Sequence, residues 1–287
     1  MLLAANVFFD PLVNALTTAL LALHSVIPNY GWALIVLALI VRLVMWPLSE
    51  MQFKSMAEMQ KVQPLVKAIQ AKYKSDPQKQ NAEIMALYKE HGVNPLAGCI
   101  PMLIPIPILI ALYWAIQNQV TDQHSAFWHE HWLWIGSSIS QHWPTIFASS
   151  LAVPDLALLV LYVVSMYFTV RYGSPPSTDP QQAQTQKIMA IVSPAIIAYT
   201  GYRWRWASAL YIYWLALNVF TVAQQYWMFR RYGLIGKGAA AARAAAATAA
   251  AAAIQPEPSD QRSVKDAKNG GSPNGKRTYR PKKRSRR

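Results

Sequence analysis

The 287-residue sequence predicts an all-α polytopic membrane protein, with a five-helix transmembrane core, a cytoplasmic helical hairpin and an N-terminal interfacial helix. Three observations carry that reading. Hydrophobic residues make up 53% of the chain and charged residues 14%, against the roughly 25% charge usual in soluble domains. Fifteen of the 27 Lys and Arg residues fall from Arg230 onward, so the body is poorer still in charge and holds uncharged stretches able to cross about 30 Å of hydrocarbon. Between the first two such stretches, Ser49 to Val93 is rich in Lys, Gln, Glu and Met, with apolar residues at the spacing of soluble helices.

In chain order, residues 1–29 lack the basic start of a secretory signal. Asp10-Pro11 reads as a cap and first-turn proline, and Asn14, Thr17, Thr18 and Ser25 gather near one face of the helix that follows. That pattern fits a helix lying in the membrane interface, and the alternative is a short sixth span. The first span is expected at about 30–48, apolar except for Arg42. The hairpin at 49–93 places Val62, Val66, Ile69 and Tyr73 at helical spacing, breaks at Ser75-Asp76-Pro77, and resumes with Ile84, Met85, Leu87 and Tyr88. Spans two to five are expected at about 98–117, 154–170, 188–202 and 206–229. Prolines 101, 105 and 107 in the second are tolerable where neighbouring helices satisfy the freed carbonyls. Residues 119–153 form a Trp- and His-rich loop, and 171–187 a short polar one. Residues 30–233 thus make the core, and 234–287 a disordered basic tail, Ala-rich and then rich in Pro, Gly, Ser and charge.

Loop charge sets the orientation. The hairpin carries seven lysines, the loop at 171–187 holds Arg171 and Lys187, and the tail is strongly basic, whereas 119–153 has no Lys or Arg. Five spans put hairpin, second loop and tail in the cytoplasm and the N-terminus outside. Arg203 and Arg205 oppose the rule but are outnumbered.

The only cysteine is Cys99, which excludes an intrachain disulfide. There is no HxxxH, CxxC or Gly-rich phosphate loop, and His124, His129, His131 and His142 lack the helical spacing of a zinc site. No metal, cofactor or catalytic residue is expected. Arg42 is the residue that invites a function, because a charge inside a span costs about 2.5–3.5 kcal/mol at its centre. Two readings stay open: the side chain snorkels to the nearby interface, or it stands in a water-filled cavity that receives the polar part of a passing polypeptide.

Several motifs then occur in a telling order. They are Val41-Arg42-Leu43 to Trp46-Pro47-Leu48 with Ser55-Met56 and Met59, then Ala86-Leu87-Tyr88 with Asn94-Pro95-Leu96, Gly98-Cys99 and Pro101. Asp179-Pro180 with Gln186-Lys187-Ile188-Met189, and finally Gln224-Gln225, complete the series. Over about residues 8–233 the chain resembles the YidC/Oxa insertase family, in the short form without a large extracytoplasmic domain. The resemblance implies a non-enzymatic insertase and chaperone of the bacterial plasma membrane, with a hydrophilic groove open to the cytoplasm. Arg42 matches the family's groove arginine, and Tyr213-Trp214 stands where the family has a substrate-contacting aromatic pair. Met51, Met56, Met59 and Met85 of the hairpin are candidates for an adaptable client or partner surface, the alternative for most of them being helix packing. Lys282, Lys283, Arg284, Arg286 and Arg287 of the tail are candidates for ribosome or lipid contact. The implied partners are nascent membrane proteins, the lipid bilayer, a Sec-type translocon and the ribosome. Ala38 stands where some members of the family have a groove threonine, Pro105 replaces a glutamine, and Ala207-Ser208-Ala209 replaces a Pro-Ser-Gly turn. The rival functions are a secondary transporter, which would usually need internal repeats and paired charges that the sequence lacks, and a membrane-anchored ribosome- or RNA-docking protein.

Overall fold

The computed structural model describes residues 2–94, 105–173 and 180–235, with isolated positions at 241, 244, 245 and 248. Cys99, Asp179, residues 98–104 of the expected second span and the basic tail residues Lys282 to Arg287 lie outside the described residues. What is described is helical, apart from turns and an isolated bridge between Trp132 and Ile135.

Helix α1 spans Leu2–Val26, and its Phe9–Val26 stretch has the length and apolarity of a membrane crossing. Its buried face is Val13, Leu16 and Leu20, while Asn14, Thr18 and Ser25 lie exposed off that face. It packs on α2 (Tyr30–Val44) and α5 (Pro105–Thr121). Asn29 caps α2 by accepting the Trp32 N–H at 3.3 Å.

A helix break falls inside the first expected span, 30–48. Helix α2 ends at Val44, and α3 (Trp46–Lys72) leaves it at 54°, so 46–48 belong to the next helix. Pro47 explains the break: in the first turn of α3 its missing N–H costs nothing, whereas inside a continuous helix it would clash with the preceding turn. Helix α4 (Pro77–Glu90) folds back on α3 where the Ser75-Asp76-Pro77 signal falls, with the Asp76 carboxylate accepting the Lys79 N–H at 3.1 Å. It buries no residue.

Residues 122–155, most of them in the Trp- and His-rich loop expected at 119–153, carry local structure and buried side chains of their own. They contain a 3-10 turn at Ala126–Trp128 and a short helix α6 (Ser138–His142), and they bury Phe127, Ile135 and Leu151 completely. This segment supplies caps. Asp155 is the N-cap of α7 (Leu156–Tyr172) and is 1% exposed, with its carboxylate accepting from Leu158 N–H (2.7 Å), Ala148 N–H (2.8 Å) and Trp134 Nε1–H (3.1 Å). Helix α9 (Ser208–Arg231) has no side-chain cap, and its first N–H groups donate to carbonyls of the same segment, Ser208 to Val153 (3.0 Å) and Ala209 to Leu151 (3.1 Å). Between them α8 (Pro180–Arg203) begins earlier than the polar composition of 171–187 predicts, and Arg205, in the left-handed region at φ 52°, closes the turn into α9.

Helix α9 organises the rest, packing against α2, α7, α3 and α5, while α8 packs on α7. The main core lies at the end capped by 122–155 and includes Leu34, Leu37, Leu112, Ile116, Leu158, Leu210 and Tyr211. A second cluster of Phe53, Ala57, Met228, Phe229 and Leu234 joins α3 to the far end of α9. Exposed apolar rows, such as Val160, Leu161, Val164 and Phe168 on α7 and Ile188, Ile191, Val192 and Ile196 on α8, mark faces suited to lipid rather than water.

Candidate functional site

Between the two apolar clusters the packing leaves a cavity of about 100 Å³, room for a few water molecules or one side chain. Helices α2 and α3 contribute Val41, Arg42, Met45, Leu48, Ser49 and Gln52; α5 contributes Ile108 and Leu109, and α9 contributes Tyr213 and Leu217. The bend at Met45 puts this set on one wall. Arg42, Ser49 and Gln52 are spaced by seven and three residues, one face of a helix that turns its axis without losing its register.

Arg42 is half-buried, and its Nε is fully buried without a hydrogen-bond partner. Among the described residues it pairs with no carboxylate: the two ion pairs there are His24 with Glu130, and Arg231 with Glu50 at 3.3 Å. Tyr213 is wholly buried and its hydroxyl is likewise unpartnered. Ser49 is occupied locally, its hydroxyl donating to the Met45 carbonyl at 3.1 Å. The chemistry on offer is a fixed positive charge beside a phenol and a primary amide, in an apolar frame. Among the described lining residues none is a nucleophile held by a base.

The structure brings Arg42 and Tyr213 together and turns Trp214 elsewhere. Consecutive helical residues point about 100° apart, and the Trp214 ring stacks on Tyr162 of α7 at 5.5 Å and meets Trp206 edge-on at 5.3 Å. Of the hairpin methionines, Met51 and Met85 are 59% and 50% exposed, Met59 is half-buried, and Met56 packs on the second apolar cluster. Sequence reasoning passed over Ser49 and Gln52, although their helical spacing from Arg42 was a usable signal. The groups that close the ends were missed as well. At one end Glu130 bonds His24 and accepts the Tyr30 N–H at 2.6 Å, with the His24 and Tyr30 rings stacked at 3.8 Å. At the other, Glu50 accepts from the Tyr232 hydroxyl at 3.0 Å. That bond, the Glu50 charge and, above both, the partial burial of the ring raise the phenol's pKa above its ordinary value, opposed by the Arg231 charge.

Comparison with known proteins gives a consistent result. The family model described as 60Kd inner membrane protein matches residues 22–234. The membrane protein insertase YidC of Cupriavidus taiwanensis is 36% identical over 221 residues, covering 76% of this chain and 35% of that protein. That of Burkholderia vietnamiensis is 36% identical over 218 residues, with the same coverages. That of Janthinobacterium sp. is 32% identical over 220 residues, 75% of this chain and 36% of the other. The chain therefore spans about a third of the length of the curated relatives it matches. Among solved structures, a crystal structure of an active YidC insertase with its first transmembrane domain resolved matches at a TM-score of 0.54 and 29% identity, over 76% of this chain and 46% of that one.

Proposed function

Because the chain belongs to the 60Kd inner membrane protein family, we propose that it is a membrane protein insertase and chaperone of the bacterial plasma membrane, working without a cofactor or energy source of its own. The observation that carries the proposal is Arg42, a charge with no acidic partner among the described residues, set in a cavity between α2–α3, α5 and α9. A polar segment leaving water for hydrocarbon pays the desolvation of every unpaired group. A groove that keeps a cation, a phenol and an amide at membrane depth lowers that cost, and the exposed apolar faces of α7 and α8 leave a client's apolar span free to partition into lipid.

In this reading α2, α5, α7, α8 and α9 form the spanning core, and the α3–α4 hairpin and the tail face the cytoplasm. The tail's Lys282, Lys283, Arg284, Arg286 and Arg287 touch ribosomal RNA, and a Sec-type translocon is a further partner. The exposed Met51 and Met85 supply the hairpin's adaptable contacts.

The test is photocrosslinking to a ribosome-stalled membrane protein from a probe at Leu217, which lines the cavity, and from one at the exposed position Val160 on α7. The polar flank of the client should crosslink to position 217 and not to 160. Equal yields from both, or none from 217, would contradict the groove.

A further inference from the structure

The cavity does not exhaust the polar groups on this face of α9. Gln224 is 4% exposed, and neither its Oε1 nor its Nε2 has a hydrogen-bond partner. At about 100° per residue, Gln224 falls between Tyr213 and Leu217 in rotation about the helix axis, and those are the two residues through which α9 lines the cavity. It stands about 10 Å beyond Leu217 along the axis, at 1.5 Å per residue. One further turn on, Met228 and Phe229 close the helix against Phe53 and Ala57 of α3. Gln224 thus lies along α9 between the residues that line the Arg42 cavity and an apolar plug at the end of the helix.

A buried amide with both ends unpaired runs against the general rule that buried polar groups are bonded, and an apolar side chain of the same shape would serve packing better. A primary carboxamide offers an acceptor and a donor side by side, the complement of the N–H and C=O that an extended main chain presents. We propose that Gln224 is a client-binding residue whose carboxamide pairs with the main chain of a polypeptide segment entering the cavity past the plug. The segment must part Phe53 from Phe229, whose rings meet edge to face at 5.4 Å. It must also loosen Glu50 from Tyr232 and Arg231. Recognition through the main chain is blind to sequence, which suits a site that serves many clients, and it divides the work with Arg42, which responds to charge. The assignment rests on the insertase reading, so its test has one arm that does not depend on insertion.

The full-length protein, its Gln224→Leu variant and its Gln224→Asn variant are each purified in detergent for thermal unfolding. They are then reconstituted into phosphatidylethanolamine–phosphatidylglycerol vesicles and given a synthetic client with one apolar span and a polar translocated flank. Gln224→Leu should melt at the wild-type temperature or above, because an unpaired amide is gone. It should insert the client about five-fold more slowly, the effect of one lost hydrogen bond, and Gln224→Asn should recover part of that rate. In a Cys99→Ser background, Gln224→Cys should form a disulfide with a cysteine in the flank of a stalled client. A lowered melting temperature for Gln224→Leu would mean that the amide is paired in the resting protein and would overturn the assignment. So would wild-type insertion by Gln224→Leu, or the absence of the disulfide. If wild-type vesicles insert nothing, the insertase reading fails instead, and the melting comparison still decides whether the amide is unpaired.

Discussion

Arg42 and Asp155 are both charged side chains in apolar surroundings, and the fold treats them oppositely. Asp155 is surrounded by three donors, which makes it a structural anion that ties the 122–155 segment to the first turn of α7. Replacing it with Ala strands Trp134 Nε1–H and two main-chain N–H groups, and should cost about 3 kcal/mol of stability, given that a hydrogen bond to a charged group contributes about 1.5–3 kcal/mol. Asn should recover only part of this, since both carboxylate oxygens are in use. Thermal unfolding in detergent checks the order wild type, Asn, Ala. Arg42 has no such set of partners among the described residues, and in the proposed reading its charge serves a ligand rather than the fold. Tyr213 belongs with it. Tyr213→Phe removes an unpaired buried hydroxyl and should leave stability unchanged or raised by about 1 kcal/mol, a shift that the same melts resolve.

At the scale of elements, the helices are held by two clasps of unequal strength. Glu130 joins α1, through His24, to the N-terminus of α2, where it meets a main-chain N–H and the positive end of the helix dipole. Glu50 joins α3 to the end of α9, but its ion pair with Arg231 is largely exposed, and such pairs contribute about 0.2–1 kcal/mol. Glu130→Gln should therefore lower the melting temperature clearly, while Glu50→Gln should barely move it and should instead increase hydrogen exchange in α3 and the last turn of α9. The same contrast shows what the sequence could reveal. The break at Ser75-Asp76-Pro77 falls where α4 starts, because an N-cap is a local interaction, whereas Asp10-Pro11, read as a cap and first-turn proline, lies inside α1, which already runs from Leu2. The bend at Met45 inside the expected first span was not legible, because Leu48 and Trp46 are apolar whichever helix owns them and only Pro47 marks it. Burial inside the Trp- and His-rich loop of 119–153 was not legible, because Phe127, Ile135 and Leu151 are scattered without a period, and they are buried by contacts far apart in the chain. Arg42 was legible as an anomaly of charge. Gln224 was visible only as part of a motif, since nothing in its neighbours announces that both ends of its amide go unpaired.

At the scale of the whole molecule, lysine asymmetry argues that hairpin and tail share the cytoplasmic side. Cysteines introduced in 119–153 of a Cys99→Ser protein should react with an impermeant thiol reagent added outside cells, and those in 49–93 should not. If the tail docks ribosomes, binding should fall steeply as salt rises, because each phosphate contact releases counterions. Removal of residues 256–287 should then weaken co-sedimentation with ribosomes while sparing a short client added after its synthesis. The central claim is that a lone cation in the Arg42 cavity eases polar segments into the membrane. It is tested most directly by protease protection of three clients that differ only in an acidic, neutral or basic translocated flank, using vesicles that hold wild type, Arg42→Lys, Arg42→Ala or no protein. The account predicts protection in the order acidic, neutral, basic for wild type, the same order and most of the rate for Arg42→Lys, and loss of both for Arg42→Ala at equal protein levels. Equal protection of all three clients by wild type and Arg42→Ala would contradict it and leave Arg42 as a side chain that reaches back to the membrane surface.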